Sequence, residues 1–271
     1  MNINRRIVFR WLKIIIILYC GIGIALYYLQ RKFLFHPEKL DPDHVYSFKG
    51  LFEEVKLPVN KEDTLCLIKF FPQGNYRKGV VVYYHGNRDN VERYATYASN
   101  FTKHGYEVWM PDYPGFGKST GELTEKKLYA QAYLVQQMAA AKYHSDSIVI
   151  YGKSLGTGIA AYAASASKCQ RLILETPYYS IPDLFSRYAW IYPTRYMSEF
   201  EIPTGQFLSD VTEPVTIFHG DDDEVIPYRC AAKLTENLKA SDQFITIKDG
   251  RHNNLPGHDR YKAALDSLLK L

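Results

Sequence analysis

The sequence predicts an α/β fold in which a mostly parallel sheet is covered by helices on both faces. From residue 50 onward, short runs of β-branched and aromatic residues alternate with longer stretches of helical composition. The runs, such as Val80–Tyr84, are apolar throughout, which is typical of strands buried on both faces. Regular alternation of strand and helix favours parallel crossover connections. At 271 residues, the chain is long enough to bury a large core without disulfides or structural metals.

The individual elements follow in order along the chain. We predict strands at 52–57, 65–71, 80–84, 106–110, 147–151, 171–174, 214–218 and 244–247, with the first two paired antiparallel at one edge of the sheet. We predict helices at 92–104, 124–143, 155–166, 228–238 and 259–271. The helix at 124–143 has the clearest pattern, because Thr124 is a suitable N-cap and Leu128, Ala132 and Val135 recur at helical spacing.

Residues 178–210 break this alternation. They contain nine aromatic residues and three prolines with no clean period. A structureless loop of this length is uncommon in a compact domain. We therefore predict a short helical cap, inserted over the carboxyl ends of the strands.

The N-terminal segment predicts a membrane anchor. Residues 14–29 carry no charge, and a transmembrane helix needs roughly 20 apolar residues. Bulky residues follow the run where a signal peptidase site needs small ones, and Leu18-Tyr19 does not suit a lipoprotein site at Cys20. A buried core helix rarely has basic residues on both sides of four successive isoleucines. We expect residues 1–40 to be anchor and linker and residues 41–271 to hold the chemistry.

The distribution of charge predicts the orientation of the membrane anchor and argues against a nucleic-acid partner. Four basic residues precede the apolar run and three follow it, which by the positive-inside rule places the catalytic domain on the non-cytoplasmic side. Residues 1–40 contain seven Lys or Arg and one acidic residue, whereas the remainder has slightly more acidic than basic residues. A nucleic-acid partner is therefore not expected. The cysteines show neither CxxC spacing nor a cluster with histidines, so we predict no metal site and no disulfide framework.

The pentapeptide Gly152-Lys153-Ser154-Leu155-Gly156 fits the pattern G-x-S-x-G. It follows a predicted strand and begins a predicted helix, the context in which a nucleophilic serine is held on a tight turn. A serine nucleophile needs an imidazole base oriented by a carboxylate. Of the histidines that follow, His252 comes directly after the predicted strand 244–247, whereas His258 begins the last helix. The loop after strand 214–218 is the expected place for the acid.

On these residues the sequence resembles the α/β-hydrolase superfamily, over roughly residues 50–271. The resemblance also rests on His85-Gly86-Asn87, on the run 112–119, on His219-Gly220-x-x-Asp223 and on Gly250-x-His252-Asn253. It implies Asp223 as the acid, with Asp222 as the alternative, and Asn87 as an oxyanion residue beside Leu155. The similar proteins are membrane-anchored single-domain serine hydrolases, known as esterases, acyl-protein thioesterases and prolyl-oligopeptidase-like peptidases. Arg88-Asp89 departs from the pattern, because relatives have small residues there.

We therefore expect a serine hydrolase that needs no cofactor. Ser154 would be the nucleophile, His252 the base and then the acid, and Asp223 the residue that orients His252. An anchor and an aromatic cap suit a lipid-like acyl group, so an ester or thioester is the preferred substrate over a peptide or amide. A non-catalytic membrane protein on the same fold is a further alternative. The cap aromatics could line an acyl pocket or simply hold the cap on the sheet; the candidates are Tyr178, Tyr179, Tyr188 and Trp190.

Overall fold

The computed structural model describes residues 5–74 and 76–270. Within this part of the chain, eight strands form one sheet in the order β8-β7-β6-β5-β3-β4-β2-β1. The strands are β1 Leu51–Pro58, β2 Thr64–Phe71, β3 Gly79–Tyr84, β4 Tyr106–Pro111, β5 Ile148–Lys153, β6 Arg171–Glu175, β7 Val215–Gly220 and β8 Gln243–Ile247.

The sheet is parallel from β8 to β4, and β2 pairs antiparallel with both β4 and β1. The α/β class and the antiparallel pair at the edge are confirmed. Several strands extend one or two residues beyond the predicted carboxyl end, because polar residues such as Lys153, Glu175 and His219 still form ladder bonds. This extension matters, since those residues lie at the edge of the sheet where loops gather.

Helices cover both faces of the sheet. The α-helices of the described chain, including those outside these layers, are α1 Arg5–Leu34, α2 Val91–Tyr94, α3 Ser99–Thr102, α4 Glu125–Lys142, α5 Gly156–Ala166, α6 Ile181–Tyr188, α7 Thr194–Met197, α8 Thr204–Asp210, α9 Tyr228–Ala232 and α10 Asp259–Lys270. Thr124 caps α4 as predicted, because its hydroxyl accepts a hydrogen bond from the Lys127 N–H. The predicted helix 92–104 is interrupted by a 3₁₀ turn at Ala95–Ala98, and the predicted helix 228–238 ends in a 3₁₀ turn at Lys233–Asn237.

The core consists of two apolar layers, one on each face of the sheet. Strand β3 shows why: Val80, Val82 and Tyr84 belong to one layer, and Val81 and Tyr83 to the other. Because successive side chains of a strand point to opposite faces, a strand buried on both faces must be apolar at every position. The continuous run that predicted the parallel sheet has this physical origin.

Two segments lie outside the sheet-and-helix layers. Residues 178–210 form the cap, which contains the short helices α6, α7 and α8. Helix α1 is 30 residues long and contains a window that is apolar enough to cross a bilayer. Most of its side chains are exposed; Gly23, Gln30 and Leu34 are the buried ones in the described helix.

Candidate active site

Ser154 lies on a tight turn between β5 and α5. Its φ of +52° is in the left-handed region, which a non-glycine residue adopts only under local strain. A Cβ atom at Gly152 would lie 2.5 Å from the carbonyl oxygen of Gly156, and one at Gly156 would lie 2.1 Å from that of Tyr84. Both glycines are therefore required by close backbone approach, and the turn presents the serine at the carboxyl edge of the sheet.

Ser154, His252 and Asp223 form one hydrogen-bonded line. The Ser154 Oγ lies 2.9 Å from His252 Nε2, and His252 Nδ1 lies 2.9 Å from Asp223 Oδ2. All three side chains are buried. With Nδ1–H donating to the carboxylate, Nε2 is left as the acceptor for the serine proton. The arrangement can therefore move a proton from Oγ to the imidazole.

Backbone donors fix the Asp223 carboxylate. Its Oδ1 accepts hydrogen bonds from the N–H groups of Val225 and Ile226, at 2.9 and 2.7 Å. Burial alone would raise the pKa of Asp223, but the hydrogen bond and charge of His252, with the Ile226 N–H, outweigh it and hold that pKa below its ordinary value. The neighbouring Asp222 is exposed and pairs with Arg251 instead. The geometry thus brings Asp223, and not Asp222, to the imidazole.

A second histidine, His219, lies beside the Asp223 carboxylate. His219, at the end of β7, is fully buried, and its Nε2–H donates to the carbonyl oxygen of Ile226 at 2.9 Å. The same nitrogen lies 3.5 Å from Asp223 Oδ2. Burial lowers the pKa of His219, although Asp223 acts in the opposite direction. His219 is therefore a neutral support for the turn that carries Asp223.

The predicted oxyanion residues, Leu155 and Asn87, lie beside Ser154 in the wall of one cavity. The Asn87 side chain does not point to the reacting centre, because its Nδ2 donates to the carbonyl oxygen of Leu34 at 2.8 Å. The backbone of Asn87 is fixed as well, since its carbonyl oxygen accepts the N–H of His36. The end of α1 thus holds the loop that would supply an oxyanion donor.

The cavity above Ser154 has a volume of about 440 Å³, and half of the residues in its wall belong to the cap, most of them apolar or aromatic. This volume is within the roughly 300–1,000 Å³ of ligand pockets. Of the predicted cap aromatics, Tyr178 and Tyr188 are in its wall. Tyr179 and Trp190 are not part of the wall in the described chain: Tyr179 packs against Gly205, and Trp190 is 80% exposed. Trp190 lies in the turn between α6 and α7, which no sequence period predicts, whereas Tyr179 precedes α6.

Helix α1 forms one side of the same cavity. The lining residues that it contributes are Leu26, Tyr27, Gln30, Phe33 and Leu34. Residues of the expected anchor segment 1–40 therefore form part of the wall of the candidate site, while the triad residues lie within 41–271. They do so because the C-terminal half of α1 packs against the cap.

A buried ion pair between Lys153 and Glu175, which no sequence pattern above predicts, lies under the turn that carries Ser154. Lys153 is buried, and its Nζ donates to the Glu175 carboxylate and, at 3.4 Å, to the carbonyl oxygen of His252. Burial opposes the ammonium charge, but Glu175 outweighs burial and raises the pKa of Lys153. Tyr151 and Tyr261 also donate to Glu175. The Glu175 carboxylate is thus engaged by Lys153, Tyr151 and Tyr261, away from the imidazole ring.

Comparison with known proteins finds similar chains. The family model described as serine aminopeptidase, S33, matches residues 75–203, which is just under half of the chain and includes Ser154. Alpha/beta hydrolase domain-containing protein 17C of Xenopus tropicalis is 28% identical over 194 residues, which cover 70% of this chain and 61% of that protein. Its counterpart in Mus musculus is 26% identical over 207 residues, which cover 74% and 62%. This chain thus spans about three fifths of the length of the curated relatives it matches.

Solved structures with the same fold include an esterase from Pyrococcus furiosus, with a TM-score of 0.68 and 17% identity over 88% of this chain and 97% of that one. Another is Est1E from Butyrivibrio proteoclasticus with ferulic acid bound, with a TM-score of 0.62 and 19% identity over 80% and 96% of the two chains. At these identities the likeness concerns the fold. Together with the sheet order and the turn that carries Ser154, these comparisons show that the chain has the α/β-hydrolase fold and is similar to proteins named as α/β hydrolases.

Proposed function

We propose that the protein is a membrane-anchored serine hydrolase that cleaves carboxylic esters or thioesters of lipid-like acyl groups. The observation that carries this proposal is the hydrogen-bonded line from Ser154 through His252 to Asp223, at the base of an apolar cavity. The relatives are named as α/β hydrolases. Of the two neighbouring structures, one is an esterase and the other, Est1E, has ferulic acid bound. Helix α1, with a long apolar window, would hold the protein in a bilayer.

In the proposed reaction, Ser154 Oγ attacks the acyl carbon while its proton passes to His252 Nε2. The backbone N–H groups of Leu155 and Asn87 donate to the oxyanion that forms. The protonated imidazole then gives its proton to the departing alkoxide or thiolate, which leaves an acyl group on Ser154. A water molecule, deprotonated by His252, hydrolyses this acyl-enzyme and restores the serine.

The second candidate is a serine peptidase or amidase, which the matched family description favours. The same groups would act on an amide, with His252 protonating the departing amine. The two candidates differ in the substrate that the cavity accepts. Its apolar walls, made by cap residues such as Leu184 and Phe185, suit an acyl chain better than a peptide amino terminus.

Two measurements on the purified full-length protein test the proposal. A fluorophosphonate probe should label the wild type but not Ser154→Ala, and a non-catalytic protein would not react at all. A series of p-nitrophenyl esters of increasing chain length should be hydrolysed faster than aminoacyl amides. Faster turnover of the amides would favour the peptidase instead.

A further inference from the structure

The cap runs alongside the apolar part of α1. Tyr192 stacks on Tyr19, with ring centroids 4.6 Å apart, and a Cβ atom at Gly23 would lie 3.0 Å from the Tyr192 ring. Further down the helix, Gln30 donates to the carbonyl oxygen of Met197 and accepts the N–H of Glu199. The contact therefore extends along one face of α1 over three helical turns.

This contact fixes the depth of the cap relative to the apolar run 14–29. Tyr19 lies ten residues before the end of that run, which corresponds to about 15 Å of helix axis. A hydrocarbon core is about 30 Å thick. If the run crosses the bilayer, Ile191 and Tyr192, which contact Tyr19, cannot remain in water.

The hydrogen bonds at this contact suit a lipid environment. The Tyr19 hydroxyl donates to the carbonyl oxygen of Ile191, and the Tyr192 hydroxyl donates to that of Tyr19, both at 3.0 Å. Polar groups at membrane depth must be satisfied within the protein, and these four groups satisfy one another.

Along the contact between α1 and the cap, the side chains are mainly apolar beside the apolar run of α1 and become charged towards its C-terminal end. Immersion of the apolar end in lipid requires this direction. The ten residues 188–197 contain a single charge, that of the exposed Arg195, and their other exposed side chains are apolar or aromatic. Four of these are at least half exposed: Tyr188, Trp190, Ile191 and Tyr196. We call these four residues the cap face. Charged contacts begin at the other end, where Arg31 pairs with Glu199 and Glu122. Aromatic side chains at this boundary are typical of membrane interfaces.

The cavity opens at the same level. Its most exposed wall residues are Tyr27 and Phe33 of α1 and Tyr188 of the cap, which are 50%, 59% and 64% exposed. They place the mouth between α1 and α6, at the end of the apolar run. Ser154 lies at the inner end of the same cavity.

We propose that the cap face is immersed in the same bilayer leaflet as the C-terminal half of α1, so that the cavity takes the acyl chain of a membrane-resident ester or thioester directly from the lipid. The inference rests on the proposed function. Its partner is the lipid bilayer, whose hydrocarbon covers the cap face together with the exposed side chains of α1.

Tryptophan fluorescence in vesicles tests the immersion without relying on activity. The chain has three tryptophans, of which Trp109 is buried in the core. In full-length Trp11→Phe, reconstituted in phosphatidylcholine vesicles, Trp190 should lose more than half of its emission when the acyl chains carry bromine. The double variant Trp11→Phe/Trp190→Phe gives the emission of Trp109 alone, which is subtracted as background.

These outcomes distinguish a failure of the immersion inference from a failure of the proposed hydrolase function. Quenching of Trp190 by aqueous acrylamide but not by brominated lipid would place the cap face in water and overturn the inference. Protection from both quenchers would mean that protein, such as a second copy, covers the face, and would overturn it as well. Probe labelling of Ser154 in the same samples reports on the hydrolase, and loss of vesicle binding reports on the anchor.

A matched pair of variants tests the route of the substrate. Tyr196→Glu puts a carboxylate on the cap face, and Tyr76→Glu does the same at another exposed tyrosine, ahead of β3. Because a carboxylate is costly to immerse in lipid, we expect Tyr196→Glu to lower turnover of a long-chain acyl ester in vesicles about tenfold and to leave a short water-soluble ester unaffected. Tyr76→Glu should change neither rate. Unchanged vesicle turnover in Tyr196→Glu, or an equal loss on both substrates, would contradict the route.

Discussion

Asn87, in the loop expected to bind the oxyanion, donates its side-chain amide to the carbonyl oxygen of Leu34, the last residue of the N-terminal helix. The neighbouring backbone continues the link, since His36–Pro37 pairs in parallel with Arg88–Asp89. Together these contacts tie the end of α1 to the loop beside Ser154. The N-terminal helix therefore contributes to the geometry of the candidate site, besides the anchoring that we propose for it.

The link predicts an effect on turnover. Asn87→Ala removes the bond to Leu34 but keeps the backbone N–H, so we expect kcat to fall several-fold on a water-soluble ester, in line with about 1 kcal/mol for one hydrogen bond. Asn87→Asp places a carboxylate against the Leu34 carbonyl and should lower kcat further. Steady-state kinetics of the two variants measure this. Wild-type kcat in both would mean that the loop does not depend on the helix.

The orienting carboxylate gives a second prediction. Asp223→Asn should lower kcat by roughly 10⁴-fold, as the loss of the equivalent acid does in serine proteases, because the imidazole tautomer is no longer fixed. Asp222→Asn is the matched control: this side chain is exposed and bonds only to Arg251 in the described chain, so little change is expected. Equal losses in the two variants would reassign the acid.

The buried pair of Lys153 and Glu175 predicts a loss of stability. Lys153→Met leaves an unpaired carboxylate in the core, which should lower the free energy of unfolding by about 3–5 kcal/mol. Lys168→Met, at an exposed lysine paired with Glu213, should cost less than about 1 kcal/mol. Chemical denaturation compares the two.

The double variant Lys153→Met/Glu175→Gln provides the internal check of this assignment. It removes both charges, so it should be more stable than Lys153→Met alone. A double variant that is less stable by the sum of two single losses would show that the charges do not act as a pair.

The buried His219 predicts a pH dependence of stability. Its pKa is below the ordinary 6.5 in the folded chain, so the unfolded chain binds a proton first as the pH falls. Stability should therefore decrease below about pH 6.5, by at most about 1.4 kcal/mol per pH unit from this group. The lowered pKa of Asp223 adds a loss only at more acidic pH, nearer its ordinary 3.8.

Thermal unfolding from pH 7.5 to 5 tests the contribution of His219. His219→Gln has no titrating group, and the difference in stability between wild type and variant should shrink or change sign as the pH falls. A difference that is constant with pH would exclude His219 as the source.

Much of the site is predictable because local patterns encode it. The glycines around Ser154 and the position of His252 directly after β8 are visible in the sequence, and the parallel sheet brings such loops to one edge. The choice of Asp223 over Asp222 needed the family resemblance, because two adjacent aspartates differ only in which one the turn points inward.

The missed features depend on contacts between distant segments. Lys153 and Glu175 end neighbouring strands of an apolar sheet, and two opposite charges at such positions are the signal that could have indicated a buried pair. The contact of α1 with the cap had a weaker signal. Gly23 and Gln30 interrupt the apolar helix on one face, which indicates a protein neighbour there, but no local pattern identifies that neighbour.

Probe labelling of Ser154, read by mass spectrometry of the intact protein and its peptides, tests directly whether this serine is the nucleophile of a hydrolase. Full-length wild type should gain one phosphonyl group, located on the peptide that contains Ser154, and lose ester hydrolysis in proportion to labelling. Ser154→Ala should take up no label and hydrolyse no ester, while its unfolding temperature stays close to that of wild type. Ester hydrolysis by a folded Ser154→Ala protein at the wild-type rate would contradict the mechanism.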